Sequence, residues 1–142
     1  KSDFASTIGI GGVVGTKFVW PVGVHMNRES GDVSLTPEKE AVWAKWIKIY
    51  NDKMLSLGTY RGELYDIGYD RPETHAVQKG TVMYYAFYAP SYTGVVELRG
   101  LDKRSYRIMD YVNNKDLGTI KGPKAELKVS FNKHLLIEVK PK

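Results

Sequence analysis

The sequence has no cysteine. That removes disulfides, thiol nucleophiles and thiolate metal sites together, and fits a cytoplasmic protein without requiring one. Histidine is scarce too. His25, His75 and His134 are far apart, with no His-x-x-x-His and no flanking acidic pair, so neither a metal centre nor a cofactor is expected. No apolar run is long enough to span a bilayer, and no basic stretch leading into an apolar segment marks a signal peptide. No internal period is present. The chain opens Lys1-Ser2-Asp3-Phe4 without an initiator Met, as an excerpt of a longer protein would, so the missing signal does not bear on secretion.

What is present is ordinary globular composition: 142 residues, 42% hydrophobic and 26% charged. The formal charge of +5 is uneven. Residues 101–142 hold ten Lys/Arg against five Asp/Glu, while the first hundred balance at eleven and eleven. These cations are spaced singly rather than in a run, which predicts a solvated sheet face with lysines guarding edges, and no nucleic-acid or membrane partner.

Three zones follow along the chain. Residues 1–35 are glycine-rich: Ser2-Asp3 can cap a short helical turn through Ile8, residues 16–20 make a short strand ended by Pro21, and residues 22–35 make a polar loop. Gly9-Ile-Gly-Gly12 and Gly15-Thr16-Lys17 match neither the Walker nor the dinucleotide glycine spacing. Next comes one clear amphipathic helix over residues 37–57. Thr36 stands at its cap, Pro37 in its first turn and Gly58 past its end. Its apolar stripe is Trp43, Trp46, Ile47, Tyr50, Met54 and Leu57. A strand, a loop and a helix form one βα unit, which cannot be a fold alone.

From about residue 74 the pattern is antiparallel strands. Residues 75–78 and 81–88 form a hairpin about Lys79-Gly80. A strand over 95–99 follows a turn over 90–94, and one over 105–112 precedes a turn at 113–116. Two final strands, 125–131 and 135–139, alternate apolar and polar residues. Six or seven such strands predict a small β-sandwich.

Chemistry-bearing clusters are few. Asp66, Asp70 and Glu73 lie in one broken segment, and Tyr65, Tyr69 and Asp70 either line a sugar groove or belong to a tyrosine-rich core. No nucleophile–base arrangement can be assembled. His75 is either structural or part of an interface. His25 stands out because its loop leaves the far end of the parallel-type strand, where α/β enzymes place their sites.

The ordered segments Val14-Gly-Thr-Lys-Phe-Val-Trp-Pro21, Leu35-Thr-Pro-Glu-Lys-Glu-Ala-Val-Trp43, Leu64-Tyr-Asp-Ile-Gly68, Tyr84-Tyr-Ala-Phe-Tyr88, Val96-Glu-Leu-Arg-Gly-Leu101 and Tyr106-Arg-Ile-Met-Asp-Tyr111 resemble the C-terminal portion of bacterial α-galactosidases (melibiases) of glycoside hydrolase family 36. That resemblance implies a mostly β chain: residues 1–58 as the last strand and helix of a (β/α)8 barrel, and residues 59–142 as the following antiparallel β-sandwich. It implies a retaining hydrolase of terminal α-galactosides whose two catalytic aspartates lie on barrel strands upstream of residue 1. No catalytic residue is then expected in this chain. Trp20 and His25 are the residues it places nearest the sugar. The implied partners are the upstream barrel, an α-galactosyl oligosaccharide in the parent enzyme, and a second copy if subunits pair. The alternative is a non-catalytic carbohydrate-binding sandwich, which requires at least two exposed coplanar aromatics among Trp20, Tyr65, Tyr69, Tyr84 and Tyr92. A purely structural domain would bury them.

Overall fold

The computed structural model describes residues 4–12 and 37–142. The expected strand over residues 16–20, with Trp20 and His25, lies outside the described residues. Two helices, α1 (Phe4–Gly9) and α2 (Pro37–Lys53), precede six strands: β1 (Thr59–Tyr60), β2 (Glu73–Lys79), β3 (Val82–Leu98), β4 (Ser105–Asp110), β5 (Lys115–Lys121) and β6 (Ala125–Pro141). All six belong to one sheet in the order β1-β2-β3-β6-β4-β5, and every pairing is antiparallel.

The predicted β2–β3 hairpin forms, with its turn one residue later than Lys79-Gly80. Lys79 pairs with Val82 across Gly80-Thr81, and Gly80 takes φ +61°, the left-handed conformation that a tight primed turn requires of its first central residue. Two expectations fail together further on. The predicted turn over 90–94 is part of β3, and the two predicted final strands are one strand, β6. The long ribbon kinks where Ala89 pairs with Lys133 and Ser91 with Asn132. Pro90 is the residue left over. Having no N–H to donate, it is tolerated at a bulge, and Lys133 absorbs the bend at φ 71°. The predicted turn at 113–116 also moves: Lys115 and Asp116 belong to β5, a strand absent from the sequence expectation.

The kink folds the sheet over on itself, so the expected sandwich is built from one continuous sheet. Met83, Tyr85, Phe87, Ile137 and Val139 from one half share a core with Val96, Leu98 and Ala125 from the other. The Tyr85 hydroxyl donates to the Arg99 carbonyl across that fold. The opposite face carries Val77, Tyr84, Ala86 and Leu136 and is covered by α1 and α2 through Ala5, Ile8, Trp46 and Ile49. With both faces covered, the run 82–88 is apolar without interruption, and Leu136 is buried although alternation alone assigns it to the outer face. Burying a side chain such as Phe87, fully enclosed, contributes roughly 1.5–3 kcal/mol.

The long helix differs from expectation at its end. Met54 turns left-handed at φ 49°, α2 stops at Lys53, and a single 3-10 turn spans Leu55–Leu57. The helical period is lost there. Leu55 enters the core, while Leu57, expected on the stripe, is 72% exposed. Trp46 and Ile49 are the buried residues of α2. The helix C-terminus is tied to the sheet by Lys53, whose ammonium lies 3.1 Å from Glu138 Oε2, and by Lys79, whose ammonium donates to the Lys53 carbonyl. Both are cations at the negative end of a helix. Beside it, α1 docks so closely that a Cβ on Gly9 would lie 2.2 Å from Tyr88 Oη and 2.8 Å from the Ala86 Cβ. Tyr88 Oη completes the contact by donating to the Ala5 carbonyl at 2.8 Å.

Candidate functional site

A cleft of about 840 Å³ opens between α1, α2 and the kinked ribbon, lined by Phe4, Trp46, Glu73, Tyr88, Lys133 and His134 among others. Ala89 and Pro90, at the kink, line it as well. Trp46 and His134 meet edge to face at 5.7 Å. Aromatic faces beside polar groups are what a sugar ring requires, apolar on its faces and hydroxylated at its rim.

Behind the cleft runs a three-residue relay of Tyr60, His75 and Glu73, only part of which shows in the sequence. Glu73 and His75 alternate onto one face of β2, and Tyr60 pairs with Val77, next to His75 on that face. The His75 ring is bonded at both nitrogens, Nδ1 to Tyr60 Oη at 2.6 Å and Nε2 to Glu73 Oε2 at 2.6 Å. The tautomer that satisfies both has Nε2–H donating to the carboxylate and Nδ1 accepting the phenol proton. Tyr88 closes the group, its ring 5.8 Å from His75. Burial, then the Glu73 charge, hold the Tyr60 phenol above its ordinary pKa. A phenol kept protonated is a poor nucleophile, so this relay positions groups rather than activating one.

Of the three residues read as either a sugar groove or a tyrosine-rich core, Tyr65 and Asp70 belong to a structural clamp on Arg99, and Tyr69 stands outside it. Arg99 grips Asp70 with two hydrogen bonds, reaches Glu97 at 2.9 Å and the Leu64 carbonyl at 2.8 Å, and lies over the Tyr65 ring at 4.7 Å. Tyr65 Oη donates to the Glu97 carbonyl at 2.6 Å and accepts from the Arg99 N–H at 2.8 Å. Hydrogen bonding to Arg99 holds Asp70 below the usual carboxylate range. Burial holds the Tyr65 phenol far above its ordinary value. Of the four described tyrosines in the alternative aromatic set, Tyr84 is buried, Tyr65 and Tyr92 are half-buried, and Tyr69 alone is exposed.

Other carboxylates are committed as well. Glu138 accepts from Tyr84 Oη at 2.8 Å and from Lys53. Buried Asp110 accepts the backbone N–H groups of Val112 and Asn113, each at 3.0 Å, closing the β4–β5 turn. Glu73 is the one carboxylate among the described residues lining the cleft. A retaining glycosidase needs two, about 5–5.5 Å apart. Among the described residues no group of three or more His, Asp or Glu could hold a metal ion.

Comparison with known proteins finds 38% identity over 118 residues with an A type blood alpha-D-galactosamine galactosaminidase of Flavonifractor plautii, covering 78% of this chain and 11% of that protein. The chain thus spans about one ninth of the relative's length. No family model matches. Among solved structures, the α-galactosidase I of Mortierella vinacea matches at 10% identity over 75% of this chain and 29% of its own, with TM-score 0.49. A β-L-arabinopyranosidase of Geobacillus stearothermophilus matches at 16% identity over 51% of this chain and 18% of its own, with TM-score 0.39. Scores below 0.5 decide neither fold nor function.

Proposed function

We propose that this chain, which belongs to the glycosidases of the α-galactosidase and α-galactosaminidase type, is an accessory C-terminal segment of a larger retaining enzyme and holds no catalytic carboxylate pair. The observation that carries this reading is the 38% identity to the galactosaminidase over most of the chain. The parent's substrate is then a glycan ending in an α-linked galactose or galactosamine-type sugar. Hydrolysis proceeds through a covalent intermediate on residues upstream of Lys1. The commitment of Asp70, Glu138 and Asp110 to structural partners supports a stabilising role. So does the helix layer, which joins the residues assigned to the barrel onto the sheet. The family resemblance points Trp20 and His25 toward the sugar, and changing either in the full-length enzyme should raise KM.

The test is direct. The isolated chain, free of copurifying enzyme, is assayed on chromogenic α-galactoside and α-N-acetylgalactosaminide substrates. No turnover is expected, and hydrolysis of either by the chain alone would overturn the reading.

A further inference from the structure

Cations that stand far apart in the sequence meet on one face of the sheet. Arg107 on β4 lies directly opposite Lys140 on β6 and Thr119 on β5; Ser105, next on the same face, is opposite Lys121. Lys142 follows Lys140 on that face, and its N–H donates to the Ser105 carbonyl at 3.0 Å. Arg107, Lys121, Lys140 and Lys142 are all exposed. None takes part in an ion pair among the described residues. Of the carboxylates nearest along this face, Glu138 bonds Lys53 and Tyr84 and also feels the Lys140 charge, and Asp116 accepts the Gly118 N–H at 2.8 Å.

Like charges directly opposite on neighbouring strands destabilise a sheet, so Arg107 against Lys140 works against the fold. Adjacent strands lie about 5 Å apart and same-face residues about 7 Å apart along a strand. The cations therefore occupy neighbouring positions on one face, close enough for a single polyanionic chain to meet several of them.

We propose that this face binds an acidic polysaccharide, a glycan carrying sulfate or carboxylate groups, and holds the enzyme on anionic glycan. The choice of a glycan rests on the glycosidase reading. Nucleic acid fits less well: the patch offers no exposed aromatic for base stacking and no helix to enter a groove. Holding the enzyme on such a chain raises the local concentration of glycan ends without any contact to the reacting sugar.

Binding of the 142-residue chain to heparin (sulfate-rich), hyaluronate (carboxylate only), neutral dextran and a single-stranded oligothymidylate tests this without any hydrolysis. Its outcome is therefore independent of whether the chain is catalytic. Heparin, alone or with hyaluronate, should bind at about 0.15 M salt and release near 1 M, as the screening length falls from about 8 to about 3 Å; dextran should not bind. The triple change Arg107→Gln, Lys121→Gln and Lys140→Gln should weaken binding about tenfold or more. Lys128→Gln, opposite Val95 on the other half of β6, should leave it unchanged. The triple variant relieves opposed charges and should melt no lower than the parent, which separates lost binding from lost folding. Five outcomes would overturn the proposal: failure of both acidic glycans to bind, equal binding of dextran, undiminished binding by the triple variant, an equal loss in Lys128→Gln, or tighter binding of the oligothymidylate.

Discussion

Asp70 and Arg99 grip each other through two parallel hydrogen bonds, Nη1 to Oδ2 at 3.1 Å and Nη2 to Oδ1 at 3.0 Å. This pins the irregular segment before β2 to the far end of β3. Both side chains are partly exposed, so the Coulomb share is small; the fork geometry, the Leu64 carbonyl bond and the packing on Tyr65 supply the rest. Arg99→Ala should lower unfolding free energy by about 1–2 kcal/mol. Arg99→Lys should restore only part of it, because an ammonium cannot reproduce the fork. Urea unfolding of the three proteins checks the ordering; full rescue by Lys would refute the fork argument.

Stability should fall on the acid side. Burial pushes Glu138 up, but the Tyr84 hydrogen bond and the Lys53 ammonium outweigh it and leave its pKa lowered; Asp70 is lowered by Arg99. A carboxylate with a depressed folded-state pKa contributes stability that is complete above its unfolded value, about 4, and is lost as pH drops through the folded one. The urea midpoint should therefore be flat between pH 5 and 8 in the contribution of these two groups and decline below about pH 4. Glu138→Gln should be less stable at neutral pH and show a shallower acid decline. An unchanged acid limb in that variant would remove Glu138 from the account.

Gly9→Ala tests the docking of α1. The added methyl would meet the Tyr88 hydroxyl, which can swing aside, and the Ala86 Cβ, which cannot. A loss of about 1–3 kcal/mol is expected, read as a lower melting temperature. A neutral result would mean that α1 shifts without cost.

Tyr60→Phe isolates the relay. It leaves His75 Nδ1, in a side chain only 9% exposed, without its donor. That should cost about 1–3 kcal/mol and loosen the two-residue strand β1 from β2. Hydrogen exchange at Arg61, whose N–H bonds the Ala76 carbonyl at 2.8 Å, should quicken; unchanged protection there would argue against it.

Much of this fold is legible in sequence where a local signal and the tertiary arrangement agree. Lys79-Gly80 marks its hairpin, and Pro37 opens its helix. Pro90 misleads because a missing N–H suits both a turn and a bulge, and only the pairing of β3 with β6 distinguishes them. The segment Lys115-Asp-Leu-Gly-Thr-Ile-Lys121 carries weak alternation because, as the edge strand β5, it buries little. Leu57 gives up its expected place in the core to Leu55 through the single backbone conformation of Met54. The relay was half visible: Glu73 and His75 at alternate positions share a face, but Tyr60 reaches them through a strand too short to show a period. The basic face was hidden for a related reason, since its members lie on three strands and converge only through their register.

The position of β6 in the sheet has a further consequence. It lies between β3 and β4, and β3 and β4 have no pairing with each other. During synthesis the β2–β3 and β4–β5 hairpins emerge first, each with its inner edge, β3 or β4, open. They can be joined only when the segment from Ala125 to Pro141 follows them and slots between. Pairings of such long sequence separation close slowly. Until then the nascent chain holds two unsatisfied strand edges, and the interval before β6 arrives is when misassembly with another chain competes most strongly with completion of the domain.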